Sequence, residues 1–355
     1  MKIVAAMSGG VDSSVAASEL LKLGHEVIGM TIKTWPKESC GKTGERQCCS
    51  LDAIQFARST AEDLGIPFYV VNFSDEFQKI VSDYFVNEYK KGRTPNPCVY
   101  CNSKIKFGLL YKKALSIDAE AIATGHYARI IKKDGEYFLA EAVYKEKDQS
   151  YFLFDTPKEM LEHILFPLGE YTKSEVRQKA MEKGFMNAER EESQDVCFIP
   201  KGGDYREYLK EKGVTDSFLP GNIFDIKGNI IGTHKGIASY TVGQRKGLGV
   251  FSEDPLYVVS IDHKENSITV GAKEKAFKKC LKVDSINWLV RNNEISGKEI
   301  EVKIRHASKK VKAIISLNEE KSAYIEFDQP QFAPTPGQMA VFYSDEIVLG
   351  GGTIS

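Results

Sequence analysis

No stretch of the chain runs apolar for the roughly 20 residues that a membrane-spanning helix needs. Charge of one sign is also missing in bulk. With 48 Lys and Arg against 49 Asp and Glu, the formal net charge is −1, so no global basic field announces a nucleic-acid partner and local patches must carry any such role. No low-complexity tract and no internal repeat is present, which excludes solenoid and linker-dominated architectures. A G-x-x-x-x-G-K-[ST] phosphate loop and a G-x-G-x-x-G fingerprint are both absent. The apolar start, Lys2 to Met7, is too short for a secretory leader and feeds straight into a glycine turn, and no Arg/Ser-rich import leader precedes it. A cytoplasmic protein is the expectation. Seven cysteines in a reducing compartment point to reactive or metal-binding thiols before structural disulfides. At 355 residues, 42% hydrophobic and 27% charged, the chain has the size for two or three globular domains.

What is present starts with Ser8-Gly9-Gly10-Val11-Asp12-Ser13. A strand-length run precedes it. Val11, Val15, Ala16, Leu20 and Leu23 follow at near-helical spacing until Gly24. A strand, a tight glycine turn and a helix start make an anion site from free N–H groups and the helix dipole. Ser8, Ser13 and Ser14 add hydroxyls, and Asp12 is placed to approach a metal or its waters. The hexapeptide resembles the PP-loop of the N-type ATP pyrophosphatases, which cut ATP between its α and β phosphates.

Further strands are expected at residues 26–32, 68–73 and 120–124, and helices at about 50–64, through about Tyr89, and at about 102–115. Strands alternating with helices imply a parallel sheet with covered faces, whose ligands bind beyond the carboxyl ends of the strands. Ser8–Ser13 and Gly125-His126 both follow such ends.

Between them, Gly92-Arg-Thr-Pro-Asn-Pro-Cys98-Val-Tyr-Cys101 ends in C-x-x-C at an expected helix N-terminus, where thiol pKa falls. From 88 to 113, Lys90, Lys91, Arg93, Lys104, Lys106, Lys112 and Lys113 face one acid, Glu88, a surplus of six. That surplus suits a polyanion, although a solvated helix face has the same composition. Zinc would need two more ligands at motif spacing, and a thioredoxin-like pair fits this larger fold poorly. Sulfur chemistry or iron–sulfur ligation with a distal third cysteine is the other reading, with Cys197 as candidate and an inert buried cysteine as its plain alternative. Lys147-Asp148-Gln149-Ser150 suits a ligand-touching loop or a solvated turn, and Thr172-Lys-Ser-Glu starts a well-capped helix.

From about residue 205, glycines multiply and short β-type segments appear at 256–261, 267–271, 299–305, 311–317, 323–327 and 339–343. They imply a small β-rich domain at 205–276 and a barrel at 277–355, after a first domain at 1–204. Arg245 and Lys246 are expected at an exposed turn. Residues 302–312 hold five basic residues and no acid, which suits an RNA-backbone stripe or a lysine-protected strand edge.

Over its whole length the chain resembles the tRNA-specific 2-thiouridylase family. The likeness rests on the glycine loop, Gly92–Pro97 followed by Cys101-Asn and Lys106-Phe107, Thr124–Tyr127, Lys147–Ser150, Asp195–Ile199, Tyr240–Arg245 and Thr335–Gln338. It implies an α/β Rossmann-like parallel sheet of the adenine nucleotide alpha hydrolase type, then a small β-rich domain and a C-terminal β-barrel that contacts tRNA. It also implies a sulfurtransferase that adenylates the C2 oxygen of the wobble uridine with ATP and Mg²⁺ and then installs sulfur, releasing AMP and pyrophosphate. The tRNAs implied are those for Lys, Glu and Gln. The sulfur source is a cysteine desulfurase, a relay protein or sulfide.

By the same resemblance, Ala6, Met7, Ser8, Gly9, Gly10, Val11, Asp12, Ser13, Ile32 and Gly125 bind ATP. Asp12 joins Cys101 (nucleophile) and Cys197 (persulfide carrier) in the catalytic set, and the two cysteines are candidates for a disulfide. Asn96 and Pro97 lie against the target base, and His126, Lys147, Asp148, Gln149, Arg305, His306 and Gln338 touch tRNA. Many family members carry aspartate where this chain has Cys98. Two mechanisms therefore stay open: a persulfide on Cys197, or a [4Fe–4S] cluster held by Cys98, Cys101 and Cys197 with its fourth iron carrying sulfide. The rival functions are another PP-loop enzyme that adenylates a different acceptor, and a non-catalytic nucleotide-gated RNA-binding module.

Overall fold

The computed structural model describes residues 1–34, 51–190, 196–199, 202–291, 295–319 and 321–355. Expectations placed on Cys40, Cys48, Cys49, Ser50 and Asp195 lie outside the described residues. The chain forms two compact units. One holds residues 1–82, 97–203 and 346–349, and the other holds 83–96, 204–345 and 350–355.

The first unit is built on a parallel sheet of β1 (Lys2–Ala6), β2 (Glu26–Lys33), β3 (Phe68–Asn72), β4 (Ala121–Thr124) and the short β7 (Ile164–Leu165), in the order β3-β2-β1-β4-β7. Ile3 pairs with Val27 on one side and Ala121 on the other. The central strands β1 and β4 are short, apolar and buried, as strands covered on both faces are, whereas β3 at the edge leaves Tyr69 and Val70 exposed. Helix α1 (Val11–Lys22) packs Ala17 and Leu20 with Ile3 and Ala5. Helix α2 (Leu51–Asp63) adds Ala57 and Ala61, small enough for close approach. The chain runs outward from β1 through β2 to β3 and returns to the other side for β4. The switch point, where ligands bind in open α/β sheets, therefore lies beyond the ends of β1 and β4.

Two departures from the expected elements matter. The helix expected near 102–115 begins earlier, at Pro97–Tyr100, and widens to a π-type stretch, Cys101–Leu110, before Tyr111–Leu115. An antiparallel hairpin of β5 (Ala128–Lys133) and β6 (Glu136–Glu141) follows β4, joined by Asp134 and Gly135 at φ of 50° and 83°. Positive φ at both positions matches the right-handed strand twist and makes Asp-Gly a strong hairpin turn.

The second unit contains a four-stranded sheet and a barrel. The sheet consists of β8 (Gly221–Phe224), β9 (Ile230–His234), β10 (Tyr257–Asp262) and β11 (Ser267–Gly271), and buries Ile223, Val258, Ile268 and Val270. In the barrel, β12 (Phe277–Trp288), β15 (Ser322–Phe332), β14 (Val311–Glu319), β13 (Glu299–Lys303), β16 (Met339–Ser344) and β17 (Ile347–Ile354) pair in that order, and β17 closes onto β12 with Val283 opposite Ile354. Closure pairs the two outer strands of this six-strand set with each other, and β17 also pairs with β6. Residues 83–96 belong here: Tyr89 stacks on Tyr205 with ring centres 5.1 Å apart, and Phe85 meets Tyr208 edge-on.

Candidate active site

At the end of β1 the chain turns through Ser8-Gly9-Gly10 into α1. Gly9 sits at φ 76°, and a Cβ there would lie 2.1 Å from the Ala53 carbonyl oxygen, so only glycine fits. The side chain of Asn187, almost fully buried, and that of Arg190 both donate to the Gly9 carbonyl, at 3.1 Å each. The Ser13 hydroxyl donates to Gly10 O and accepts from Ser8 N, which knits the turn. Helix α1 has no side-chain cap at Gly10, so its first N–H groups are left for an anion.

Asp12, in the first turn of α1, accepts from Lys173 Nζ at 2.6 Å and from Tyr127 Oη at 2.9 Å. Thr172 caps the helix carrying Lys173 with a full capping box, as its sequence predicts. Gly125 closes the opposite wall. A Cβ there would lie 2.7 Å from Asp12 C and from Ser13 N, so the end of β4 meets the start of α1 backbone to backbone.

These elements open onto one cavity of about 350 Å³. Ala6, Met7, Ser8, Asp12, Ser13, Ile32 and Gly125 of the expected nucleotide set line it, whereas Gly9, Gly10 and Val11 shape the turn behind. Pro97, Cys98 and Cys101 line it from the widened helix, and Cys197 lines it from the segment after the undescribed 191–195. Cys98 is exposed, Cys101 and Cys197 are half-buried, and all three are thiols. Thr34 Oγ1, buried in the same wall, finds no hydrogen-bond partner among the described residues.

His126, Gln149 and Lys106 complete the lining. The His126 ring meets Thr124 Oγ1 at Nδ1 (2.6 Å) and Lys106 Nζ at Nε2 (3.5 Å). Burial, and then the adjacent ammonium, hold its pKa well below the usual imidazole range, so it is neutral. Gln149 Oε1 accepts from Tyr127 N. Asp148 takes a different place from the RNA-facing one expected. It is 2% exposed, and its oxygens accept from Ala142 N, Ser150 N and Ser150 Oγ, so it shapes the loop presenting Gln149. Lys147 is half-buried on that loop.

The second unit holds the remaining expected contacts. Arg305 Nη2 donates to Ala333 O, Thr335 Oγ1 and Val242 O, at 2.7, 2.8 and 3.3 Å, so it ties three segments together. Gln338 Nε2 donates to the carbonyls of Thr94 and Pro95, and Thr94 N donates to Pro336 O. The two distant motifs thereby meet just before Asn96, which is half-buried. His306 is exposed. The basic stripes are partly neutralised by neighbours: Lys310 pairs with Glu301, Lys312 with Glu299, Arg93 and Lys91 with Glu88.

Among the described residues, no group of three or more His, Cys, Asp or Glu side chains is gathered around the position of a single metal ion, while Cys98, Cys101 and Cys197 line one cavity together. Asp12 fits a supporting role toward a nucleotide-borne cation, as a single carboxylate at an anion-binding turn. Asn187 and Arg190 support the site but carry no motif of their own in the sequence, whereas Tyr127 closes the Thr124–Tyr127 motif and Lys173 lies in the capped helix start at Thr172.

Family models match the chain in three consecutive pieces: a tRNA methyl transferase HUP domain at 1–201, a tRNA methyl transferase PRC-barrel domain at 206–272 and an aminomethyltransferase beta-barrel domain at 278–354. Among curated relatives, the tRNA-specific 2-thiouridylase MnmA of Acetivibrio thermocellus is 46% identical over 99% of both chains. The MnmA of Heliobacterium modesticaldum is 46% identical over 99% of this chain and 92% of its own, and that of Geotalea uraniireducens 48% over 99% and 94%.

Proposed function

The chain belongs to the tRNA-specific 2-thiouridylase family, and from that premise we propose that it replaces the C2 oxygen of the wobble uridine of tRNA with sulfur at the expense of ATP. The observation that carries this reading is the shared cavity. An anion-binding turn, Gly125, and the thiols of Cys101 and Cys197 all line it.

A uracil carbonyl oxygen is a poor leaving group. In the proposed reaction it attacks the α-phosphate of ATP, and pyrophosphate departs into the turn at Ser8–Ser13, whose N–H groups and hydroxyls meet the charge. Mg²⁺ accompanies the nucleotide and supplies charge neutralisation, with Asp12 as the nearby carboxylate. A sulfur atom borne as a persulfide on Cys197 attacks C2, and AMP leaves. Cys101 then takes the outer role, attacking the Cys197 sulfur and leaving a Cys101–Cys197 disulfide to be reduced. Pro97 and Asn96 are assigned to the target base, and His126, Lys147, Gln149, His306, Arg305 and Gln338 to tRNA. Arg305 and Gln338 act by holding backbone in place. The division into 1–204, 205–276 and 277–355, a cytoplasmic location, the tRNAs for Lys, Glu and Gln, and a desulfurase, relay or sulfide donor belong to the same proposal. The persulfide route uses no iron, and a [4Fe–4S] cluster held by Cys98, Cys101 and Cys197, which line the same cavity, is the second reading.

Mass spectrometry of nucleosides tests this directly. Unmodified tRNA incubated with the protein, ATP, Mg²⁺, a persulfide-level sulfur donor (a cysteine desulfurase with cysteine) and a thiol reductant should yield 2-thiouridine and AMP in equal amounts. Undiminished turnover after changing Cys101 and Cys197 together to alanine would hand the site to a different adenylating enzyme. The absence of pyrophosphate release with ATP and tRNA would leave only an RNA-binding module. Iron and acid-labile sulfide measured on oxygen-free preparations decide between the two routes: full transfer activity with no bound iron removes the cluster reading, and activity that tracks bound iron removes the persulfide reading.

A further inference from the structure

We propose that Lys106 is a catalytic cation of the sulfur-transfer step, positioned to meet the charge that the departing AMP acquires. The inference rests on the 2-thiouridylase reading of the cavity. Among the described residues that line it, Lys106 is the one lysine or arginine. Its ammonium contacts two neutral partners, Asn102 Oδ1 at 2.8 Å and His126 Nε2 at 3.5 Å. Asn102 is buried and fixed in turn by its Nδ2 donating to Phe152 O. Because the ammonium donates to Nε2, the ring proton sits on Nδ1 and points to Thr124 Oγ1.

Other lysines of this unit meet carboxylates. Lys104 pairs with Asp155, Lys145 with Glu141, and Lys173 with Asp12. Lys106 has no carboxylate partner among the described residues. A half-buried cation held by neutral groups alone is costly to keep, and the cost is recovered when an anion arrives. Of its three N–H donors, two are engaged by Asn102 and His126, which leaves one for a ligand.

The widened helix explains its location. In an α-helix a residue five positions on lies about 140° around the axis. The i→i+5 winding of Cys101–Leu110 brings Lys106 back toward the face that bears Cys101. Its bond to His126 then ties the thiol-bearing segment to the loop of Gly125. Lys106 thus stands where sulfur and nucleotide chemistry meet. As the sulfur lone pair forms the bond to C2, the C2–O bond breaks and its electron pair stays on the phosphate oxygen, so the adenylate monoanion becomes AMP dianion. That added charge falls to Lys106.

Single-turnover sulfur transfer, with pyrophosphate release followed separately, tests the assignment. Lys106→Met should slow 2-thiouridine formation roughly 100- to 1,000-fold, the usual effect of removing one preorganised donor, with KM for tRNA within about threefold of the parent. Lys106→Arg should recover at least about tenfold of that loss, and ethylammonium should accelerate Lys106→Ala, neither of which a purely structural role explains. A Lys106→Met protein within threefold of the parent, or a deficit that neither Arg nor ethylammonium relieves, overturns the assignment. AMP is the independent probe. Its Kd should rise about tenfold or more in Lys106→Met, and in Lys106→Ala if the methionine variant does not fold. Unchanged AMP affinity overturns the assignment even if the parent makes no 2-thiouridine, and that second failure would count against the family reading instead.

Discussion

Lys173 Nζ lies 2.6 Å from Asp12 Oδ1, with the lysine only 11% and the aspartate 26% exposed. A capped helix far along the chain thereby fixes the carboxylate in the first turn of α1, and Tyr127 Oη holds the same oxygen. Lys173→Met leaves Asp12 with one partner fewer and removes a cation from the pyrophosphate end of the cavity. It should slow ATP- and tRNA-dependent pyrophosphate release roughly 10- to 100-fold, the range for a charged hydrogen bond. Release at the parent rate would show that the pair is structural only.

Gly125→Ala places a methyl group 2.7 Å from two backbone atoms of α1, neither of which is the end of a flexible side chain. Overpacking of this kind costs about 1–3 kcal/mol. Thermal or urea unfolding of the first unit should register the loss, together with weakened ATP binding by calorimetry. An unshifted midpoint with parental ATP affinity would contradict the close approach.

Thr34→Val separates binding from folding. The Thr34 hydroxyl is buried in the cavity wall without a partner among the described residues, so its loss should leave stability unchanged or raised. If that hydroxyl serves the nucleotide, KM for ATP should rise roughly 3- to 10-fold with kcat little altered. A destabilised protein with parental KM would reverse both expectations.

His126 should resist protonation. Burial and the Lys106 charge lower its folded pKa, so below about pH 6.5, the ordinary imidazole value, the unfolded chain binds a proton that the folded chain refuses. The His126 contribution to stability is therefore complete above that pH and declines as pH falls. Ring ¹⁵N shifts should report the neutral Nδ1–H tautomer well below pH 6.5, and His126→Gln should reduce the acid sensitivity of unfolding. A ring that titrates at 6.5 or above would refute both.

The sheet was legible because its strands are short apolar runs punctuated by Gly24, Gly65 and Pro67, and the glycine turn at the end of β1 marks its own chemistry. The capping box at Thr172 was equally plain. Hairpin β5–β6 carried a readable signal in Asp134-Gly135, although neither strand alternates cleanly between apolar and polar residues. The widening at Cys101 carried none, since π-type winding follows from packing rather than from local composition. Lys173, Asn187 and Arg190 lie more than 150 residues from Asp12 and Gly9, so only the folded chain reveals them as parts of the site. The basic surplus at 88–113 was read from sequence without the acids that answer part of it, such as Asp155 beside Lys104. For Arg305, charge suggested RNA, whereas geometry gives three protein oxygens.

Residues 83–96 sit early in the chain yet cluster with its later half, where Tyr89 stacks on Tyr205 and Gln338 grips the carbonyls of Thr94 and Pro95. No single cut can therefore divide the polypeptide into two self-sufficient fragments. A truncation ending near residue 204 would strand an aromatic helix without its cover, and the complementary fragment would arrive lacking a piece of its own interior.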